Sequence, residues 1–227
     1  MSKLKQIFTY IKRLFPDPKT ELIYNMPFQL VVAVILSAQT TDIQVNKATS
    51  NLFKNIYTPQ NIIQIGQSKL IKSISSINYY KTKGKNIFLL SKLIVDSKKV
   101  KDLGIEKWNT YEDKNNIYFI PNTIEGLKKL PGIGEKTAKV VAHVLFGAPV
   151  IAVDTHVHRV CNRLGIVSTK TPEQTSKLLE NIIPKQYKSI AHHSIILFGR
   201  YYCTAKKPKC ETCELQSICK RYQSIKK

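Results

Sequence analysis

Acidic residues are scarce in this chain. Its 227 residues hold 15 Asp and Glu against 36 Lys and Arg, a formal charge of +21 with histidine neutral. Such an excess suits a polyanionic partner, because each cation set on a phosphate releases condensed counterions. Nucleic acid fits best, although ribosomal and membrane-surface proteins carry the same imbalance. Long apolar runs are missing too. The longest, "FQLVVAVILSA" from Phe28 to Ala38, falls well short of the ~20 residues that a membrane span needs. Hairpin pairs of the Asn-Gly or Asp-Gly kind are absent and period-two alternation is rare, which argues against a β-rich fold. No solenoid-type repeat is present. Cysteine does not occur before Cys161, and four of the five cysteines crowd into the last 25 residues. A secreted disulfide protein would spread them through the fold, so a reducing cytosol is the expected compartment.

The pattern that is present is helical. Apolar residues make up 43% of the chain, enough for a packed core. The basic, amphipathic start, "MSKLKQIFTYIKRLF", lacks the Arg and Ser enrichment of a mitochondrial targeting sequence and reads as a helix of the folded protein. Spacing predicts a helix over 42–53, with Asp42 as N-cap and Ile43, Val45, Ala48, Leu52 and Phe53 on one face. Another starts near Gly84 and carries Ile87, Leu90 and Ile94. Further helices are expected at 27–38, 68–74, 123–129, 136–146, 154–163, 172–183 and 188–201. The chain is therefore read as all-α. The polar stretch Ser97–Asn122, with the only tryptophan, Trp108, is a loop or a small ordered insertion.

Cys203, Cys210, Cys213 and Cys219 follow the pattern C-x6-C-x2-C-x5-C. Four thiolates so close in sequence can close around one metal centre. Zinc usually takes paired C-x2-C units, whereas the long outer gaps here better suit the larger body of a four-iron cluster. The first gap, "TAKKPK", pins Lys206, Lys207 and Lys209 in a short loop, either as a phosphate-binding surface or as an ordinary solvated charge run.

"LPGIGEKTAKVV", Leu130 to Val141, reads as a sharp turn opening a helix. Gly132 and Gly134 allow positive φ and close approach of another backbone. The freed N–H groups and the helix N-terminus then form an anion site that reads no sequence. Lys136 falls in the first turn, where the helix macrodipole is unfavourable to a cation. Such a lysine is either a solvated surface residue or an amine kept neutral for nucleophilic chemistry. Asp154, in "AVDTHVHRV", stands at the start of another helix as an N-cap, or as a carboxylate that stabilises nearby cationic chemistry.

Taken in order, "LSAQTTD", "LPGIGEKTA", "AVDTHVHRVCNR" and "HHSIILFGRYYC" leading into the cysteine pattern resemble endonuclease III. That family of DNA glycosylases with AP-lyase activity belongs to the helix-hairpin-helix glycosylase superfamily. The likeness runs from about Leu4 to Cys219. It implies two helical lobes: a six-helix barrel over 24–146 with the helix-hairpin-helix near 123–146, and a four-helix domain from 1–23 and 147–227 whose residues 203–219 hold a [4Fe–4S] cluster. It also implies base excision repair on double-stranded DNA with oxidised bases or abasic sites. Lys136 matches the catalytic lysine, which attacks C1′ of a flipped-out nucleotide, and Asp154 the catalytic aspartate. A Schiff base and β-elimination 3′ to the lesion follow. Gln39 matches the residue that fills the vacated space, though it could equally serve as a polar helix C-cap. The expected state is a membrane-free monomer in a prokaryotic cytoplasm, or in the nucleus or an organelle of a eukaryote.

Three positions depart from the family pattern. Tyr79 stands where an aliphatic wedge is usual, and an aromatic there could stack on the orphaned base. Glu135 replaces a commonly basic residue. The stretch 97–116 is longer than the usual connection. His156, beside Asp154, is expected at the DNA backbone. His143, His158, His192 and His193 are expected in core or capping positions, and none has metal-ligand spacing. Adenine and thymine-mismatch glycosylases of the superfamily lack the lysine; an oxoguanine activity and a non-catalytic DNA-binding module are the remaining alternatives.

Overall fold

The computed structural model describes residues 2–225, so the ends of the expected second domain, Met1, Lys226 and Lys227, lie outside the described residues. The chain divides into two compact units. One is Glu21–Phe146, and the other joins the residues up to Thr20 with those from Gly147 onward. The mainly helical reading is borne out, with one departure.

Helix α1 (Lys3–Leu14) begins at Ser2, whose hydroxyl accepts from the Lys5 N–H. It buries Ile7, Phe8 and Ile11. The unit that follows is built around α2 (Pro27–Ser37), apolar on every side and buried from Phe28 to Leu36, as a helix with no polar face must be. The run that was too short for a membrane span is this core helix. Its one buried polar member, Gln29, is fully bonded. Its Oε1 accepts from the Asn25 and Met26 N–H groups, and its Nε2 donates to the Phe53 and Ile56 carbonyls.

Helices α3 (Asp42–Leu52) and α6 (Tyr80–Ile94) pack on α2, and α4 (Pro59–Ile65) and α5 (Gln67–Ser73) pack on α6. Two expectations need correcting here. Thr41, not Asp42, caps α3 by accepting from the Gln44 N–H. The buried stripe of α3 is therefore Val45, Thr49 and Leu52, and Ile43 is 83% exposed. Helix α6 begins at Tyr80, so Gly84 is interior, where α5 crosses closely. A Cβ on Gly84 would sit 2.6 Å from Ile71 Cγ1 and 3.3 Å from its Cα. Gly→Ala inside a helix normally gains about 1 kcal/mol, but overpacking costs about 1–3 kcal/mol. Gly84→Ala is thus expected to destabilise the protein, read as a lower urea midpoint at unchanged m-value.

The departure from all-α lies within Ser97–Asn122. After α7 (Ser97–Asp102) come strands β1 (Trp108–Asp113) and β2 (Asn116–Pro121), paired antiparallel with Asp113 opposite Asn116. The turn residues Lys114 and Asn115 both have positive φ, the geometry of a tight hairpin. Lys-Asn adopts it without the usual glycine, which hid it in the sequence. Tyr118, wholly buried, anchors the hairpin by stacking on Tyr111 and meeting Phe28 edge-on. The unit closes with α8 (Ile124–Lys128) and α9 (Glu135–Phe146).

The other unit continues through α10 (Thr155–Leu164), α11 (Pro172–Ile182) and α12 (Lys185–Leu197) to α13 (Lys220–Ile225). The helix expected to 201 ends at Leu197 and widens into a π-helical turn, Phe198–Tyr202. Among the described residues no helix is long and apolar enough to cross a membrane.

Candidate active site

The turn before α9 follows from its sequence. The Ile133 N–H donates to the Leu130 carbonyl at 3.2 Å, with Pro131 and Gly132 between them and Gly132 at φ +81°, a type II arrangement. A Cβ on Gly132 would lie 3.0 Å from Asn86 Cβ, so glycine also lets the turn pack on α6. Gly134 differs from expectation. It lacks positive φ, and nothing lies within 4 Å of where its Cβ would be. Its carbonyl accepts the first helical bond, from Ala138 at 2.9 Å, and the N–H groups that follow have no partner within the helix.

Lys136 is exposed in this first turn. Its neighbour Glu135 is committed elsewhere, at 2.8 Å from Lys128 Nζ and 3.5 Å from Lys139 Nζ. The hydrogen bond from Lys128 holds the Glu135 carboxyl below its usual range. The Glu135 carboxylate is thus paired with two lysines other than Lys136.

Asp154 caps α10, its Oδ1 accepting from the Val157 N–H at 2.8 Å. Among the described residues its Oδ2 makes no hydrogen bond. Lys136 belongs to one compact unit and Asp154 to the other. His156, in the first turn of α10, is half-buried with Nδ1 3.2 Å from the Arg159 guanidinium. His158 is neither core nor cap: Nδ1 meets Thr175 Oγ1 at 2.7 Å in a polar network with Asn162 and Thr169. His143, His192 and His193 are buried.

Gln39 and Tyr79, far apart in sequence, are exposed at two adjoining turns, and both are left-handed, with φ 55° and 59°. That conformation costs a non-glycine residue roughly 1–2 kcal/mol. It is not the end of a regular cap at Gln39, where Ala38 takes the C-cap position of α2. Asn78 Nδ2 donates to the Gln39 carbonyl at 2.6 Å, and Gln44 Nε2 to the Ser76 carbonyl at 3.3 Å. Lys83, 7% exposed, donates to the carbonyls of Leu36 (2.8 Å) and Ala38 (2.6 Å) and to Thr40 Oγ1 (3.4 Å). Asn78 and Lys83 escaped the sequence reading. The available signal was a lysine on the apolar face of α6, in step with Ile87, Leu90 and Ile94.

All four clustered cysteines line one pocket, with Leu164, Phe198, Tyr202 and Tyr222 as apolar walls. Among the described residues no three Cys, His, Asp or Glu side chains stand close enough to share a single metal ion. Four thiols around one apolar space are the donor set of an iron–sulfur cluster. Burial, with the neighbouring thiols adding, pushes the Cys210 and Cys213 thiols up, and bound iron is what turns such thiols into thiolates. Arg163 steadies the loop, donating to the Thr204 carbonyl at 2.6 Å and lying 3.6 Å from Cys203 Sγ. Lys206, Lys207 and Lys209 are all exposed, and Lys209 lies over the Tyr202 ring at 5.8 Å. Cys161 is sealed in the core, its thiol pushed up to about 12 by burial.

Residues 32–185 match the family model described as HhH-GPD superfamily base excision DNA repair protein. Residues 203–219 match the iron-sulfur binding domain of endonuclease III. The chain is 43% identical over 98% of its length to an endonuclease III of Rickettsia conorii, covering 98% of that protein. It is 42% identical over 98% of its length to one of Bacillus subtilis, covering 95% of it. A solved structure of a trapped endonuclease III–DNA covalent intermediate is 38% identical, covers both chains fully and superimposes with a TM-score of 0.82.

Proposed function

The chain belongs to the endonuclease III family, within the HhH-GPD superfamily of base excision DNA repair proteins, and on that premise we propose how its own residues work. It is a DNA glycosylase and AP lyase that binds DNA and carries a [4Fe–4S] cluster. We assign the cluster to Cys203, Cys210, Cys213 and Cys219. Bound there, it would act as a cross-link that orders the loop bearing Lys206, Lys207 and Lys209 toward phosphate.

The substrate is duplex DNA with an oxidised pyrimidine or an abasic site, bound by a monomer in the cytoplasm. The turn at Gly132 and Gly134 offers N–H groups to one phosphate. The damaged nucleotide leaves the stack, and Gln39 and Tyr79 occupy the gap. Lys136 Nζ attacks C1′, the C1′–N bond to the base breaks, and Asp154 stabilises the positive charge on the sugar. Loss of the amine proton and opening of the C1′–O4′ bond then give the C1′=N Schiff base, which acidifies a C2′ proton. Its loss expels the 3′ phosphate by β-elimination. The observation that carries this reading is the placement of Lys136, exposed in the first turn of α9 beside a glutamate already paired with other lysines. Borohydride trapping on a thymine glycol duplex tests it. A covalent adduct is expected; its absence from protein that still binds the duplex would leave a monofunctional glycosylase or a binding module.

Asp154 carries two roles that one substitution separates. Asparagine caps a helix about as well as aspartate, so Asp154→Asn is expected to keep the unfolding midpoint and the affinity for duplex. It removes a charge that stabilises the transition state, so single-turnover base release is expected to slow by roughly 10²-fold. An unchanged rate would make Asp154 a cap and nothing more.

A further inference from the structure

We propose that Asn78 and Lys83 are positioning residues, assembling before any duplex arrives the two left-handed turns that present Gln39 and Tyr79. The inference rests on the reading that those two side chains enter the duplex.

Neither turn is favourable by itself, since both hold a non-glycine residue at positive φ. The bonds around them supply the compensation. The amide of Asn78, the residue next to Tyr79, reaches across to the backbone of Gln39 itself. Lys83, in the first turn of α6, fills the C-terminal end of α2, where carbonyls without helical partners favour a cation. Burial opposes the ammonium and draws its proton affinity down, yet all three of its N–H donors have acceptors. In a chain with a net charge of +21, a lysine so enclosed adds little to phosphate attraction, and it has no donor left for a phosphate. What it does is join the end of α2 to the start of α6, and so the Gln39 turn to the Tyr79 turn. Order established on folding need not be established again on binding, which is how preorganisation favours the bound state.

The test compares two substrates that differ in whether there is a helix to invade. With lesion-containing duplex, Asn78→Ala and the isosteric Asn78→Asp, which loses the donor, are expected to slow single-turnover base release about five- to ten-fold, the range for one lost hydrogen bond. Lyase cleavage of a single-stranded abasic oligonucleotide is expected to stay at the wild-type rate, and the unfolding midpoint to fall by no more than one hydrogen bond accounts for. Lys83→Met, which keeps the stem and removes all three donors, is expected to show a larger loss on duplex with the same single-strand rate. Equal losses on both substrates would reduce the pair to fold stability and overturn the proposal. Wild-type duplex rates in both Asn78 variants, with Gln39→Ala and Tyr79→Ala slowed, would overturn the positioning role and leave the duplex-entry reading standing. Wild-type rates in Gln39→Ala and Tyr79→Ala would remove that reading itself, and the positioning role with it.

Discussion

Lys136→Gln is expected to bind abasic-analogue duplex nearly as wild type does, while strand cleavage falls by about 10⁴-fold or more, the scale set by deleting a covalent nucleophile. The contrast follows from where the side chain sits. Lys136 is exposed and makes no hydrogen bond or ion pair among the described residues, so its replacement should move stability by no more than about 0.5 kcal/mol. It is one cation in a net excess of 21, and losing one phosphate contact lowers the salt slope of binding by about 0.9 at most. Cleavage has no such reserve. An amide nitrogen does not add to C1′, so neither Schiff base nor borohydride adduct can form. Lys136→Arg separates charge from nucleophilicity: it should bind like wild type and cleave as poorly as the glutamine variant. The nearest lysine on the same helix is no substitute, because Lys139 is 7% exposed and paired with Glu135. Cleavage retained by both variants would place the nucleophile elsewhere.

The residues offered for chemistry were legible because they break local rules. A lysine at a helix N-terminus and four cysteines packed into one short segment stand out against propensity. Residues that hold the site in shape gave weaker signals. Lys83 interrupts the apolar face of α6, but what it bonds is known only once α6 is placed against the end of α2. Asn78 looks like a turn residue until its partner, 39 positions away, is known. The hairpin was missed for a related reason. Its turn is read from glycine in most sequences, whereas here tertiary anchoring through Tyr118 holds Lys114 and Asn115 at positive φ. Helix α3 shows the smaller error of a cap displaced by one residue, which turned Ile43 from an expected core residue into an exposed one.

Two lysines illustrate how one residue type is sorted by position. Lys83 meets the C-terminal end of α2 and Lys136 the N-terminal end of α9. The macrodipole favours a cation at the first place and disfavours it at the second. The chain thus spends one lysine on structure and leaves the other exposed as the residue proposed to react.

Cys213→Ser should have the largest effect on structure. Between Cys203 and Cys219 the backbone has only a 3₁₀ turn, Gln216–Ile218, and isolated turn bonds. Leu215 is the one buried apolar anchor there, at 3% exposure, contributing about 2–3 kcal/mol. Ordering backbone costs about 1–2 kcal/mol for each residue, so side-chain burial alone cannot hold this segment. Bonds from thiolates to iron must supply the difference, as in small metal-folded domains. Loss of one ligand is therefore expected to abolish iron retention and to open the segment locally, while Glu21–Phe146, whose core is built on α2, keeps its helices. Trypsin reads the change directly. Lys206 and Lys209 lie inside the segment, and cleavage after them should accelerate by at least about 10²-fold once it samples open states freely. The same opening releases the proposed phosphate-binding lysines, so duplex affinity should fall together with the gain in cleavage. An iron-free Cys213→Ser protein as resistant to trypsin as wild type would show that the loop is held by Arg163, Gln216 and Tyr202 through their bonds to it, and that the cluster is not what orders it.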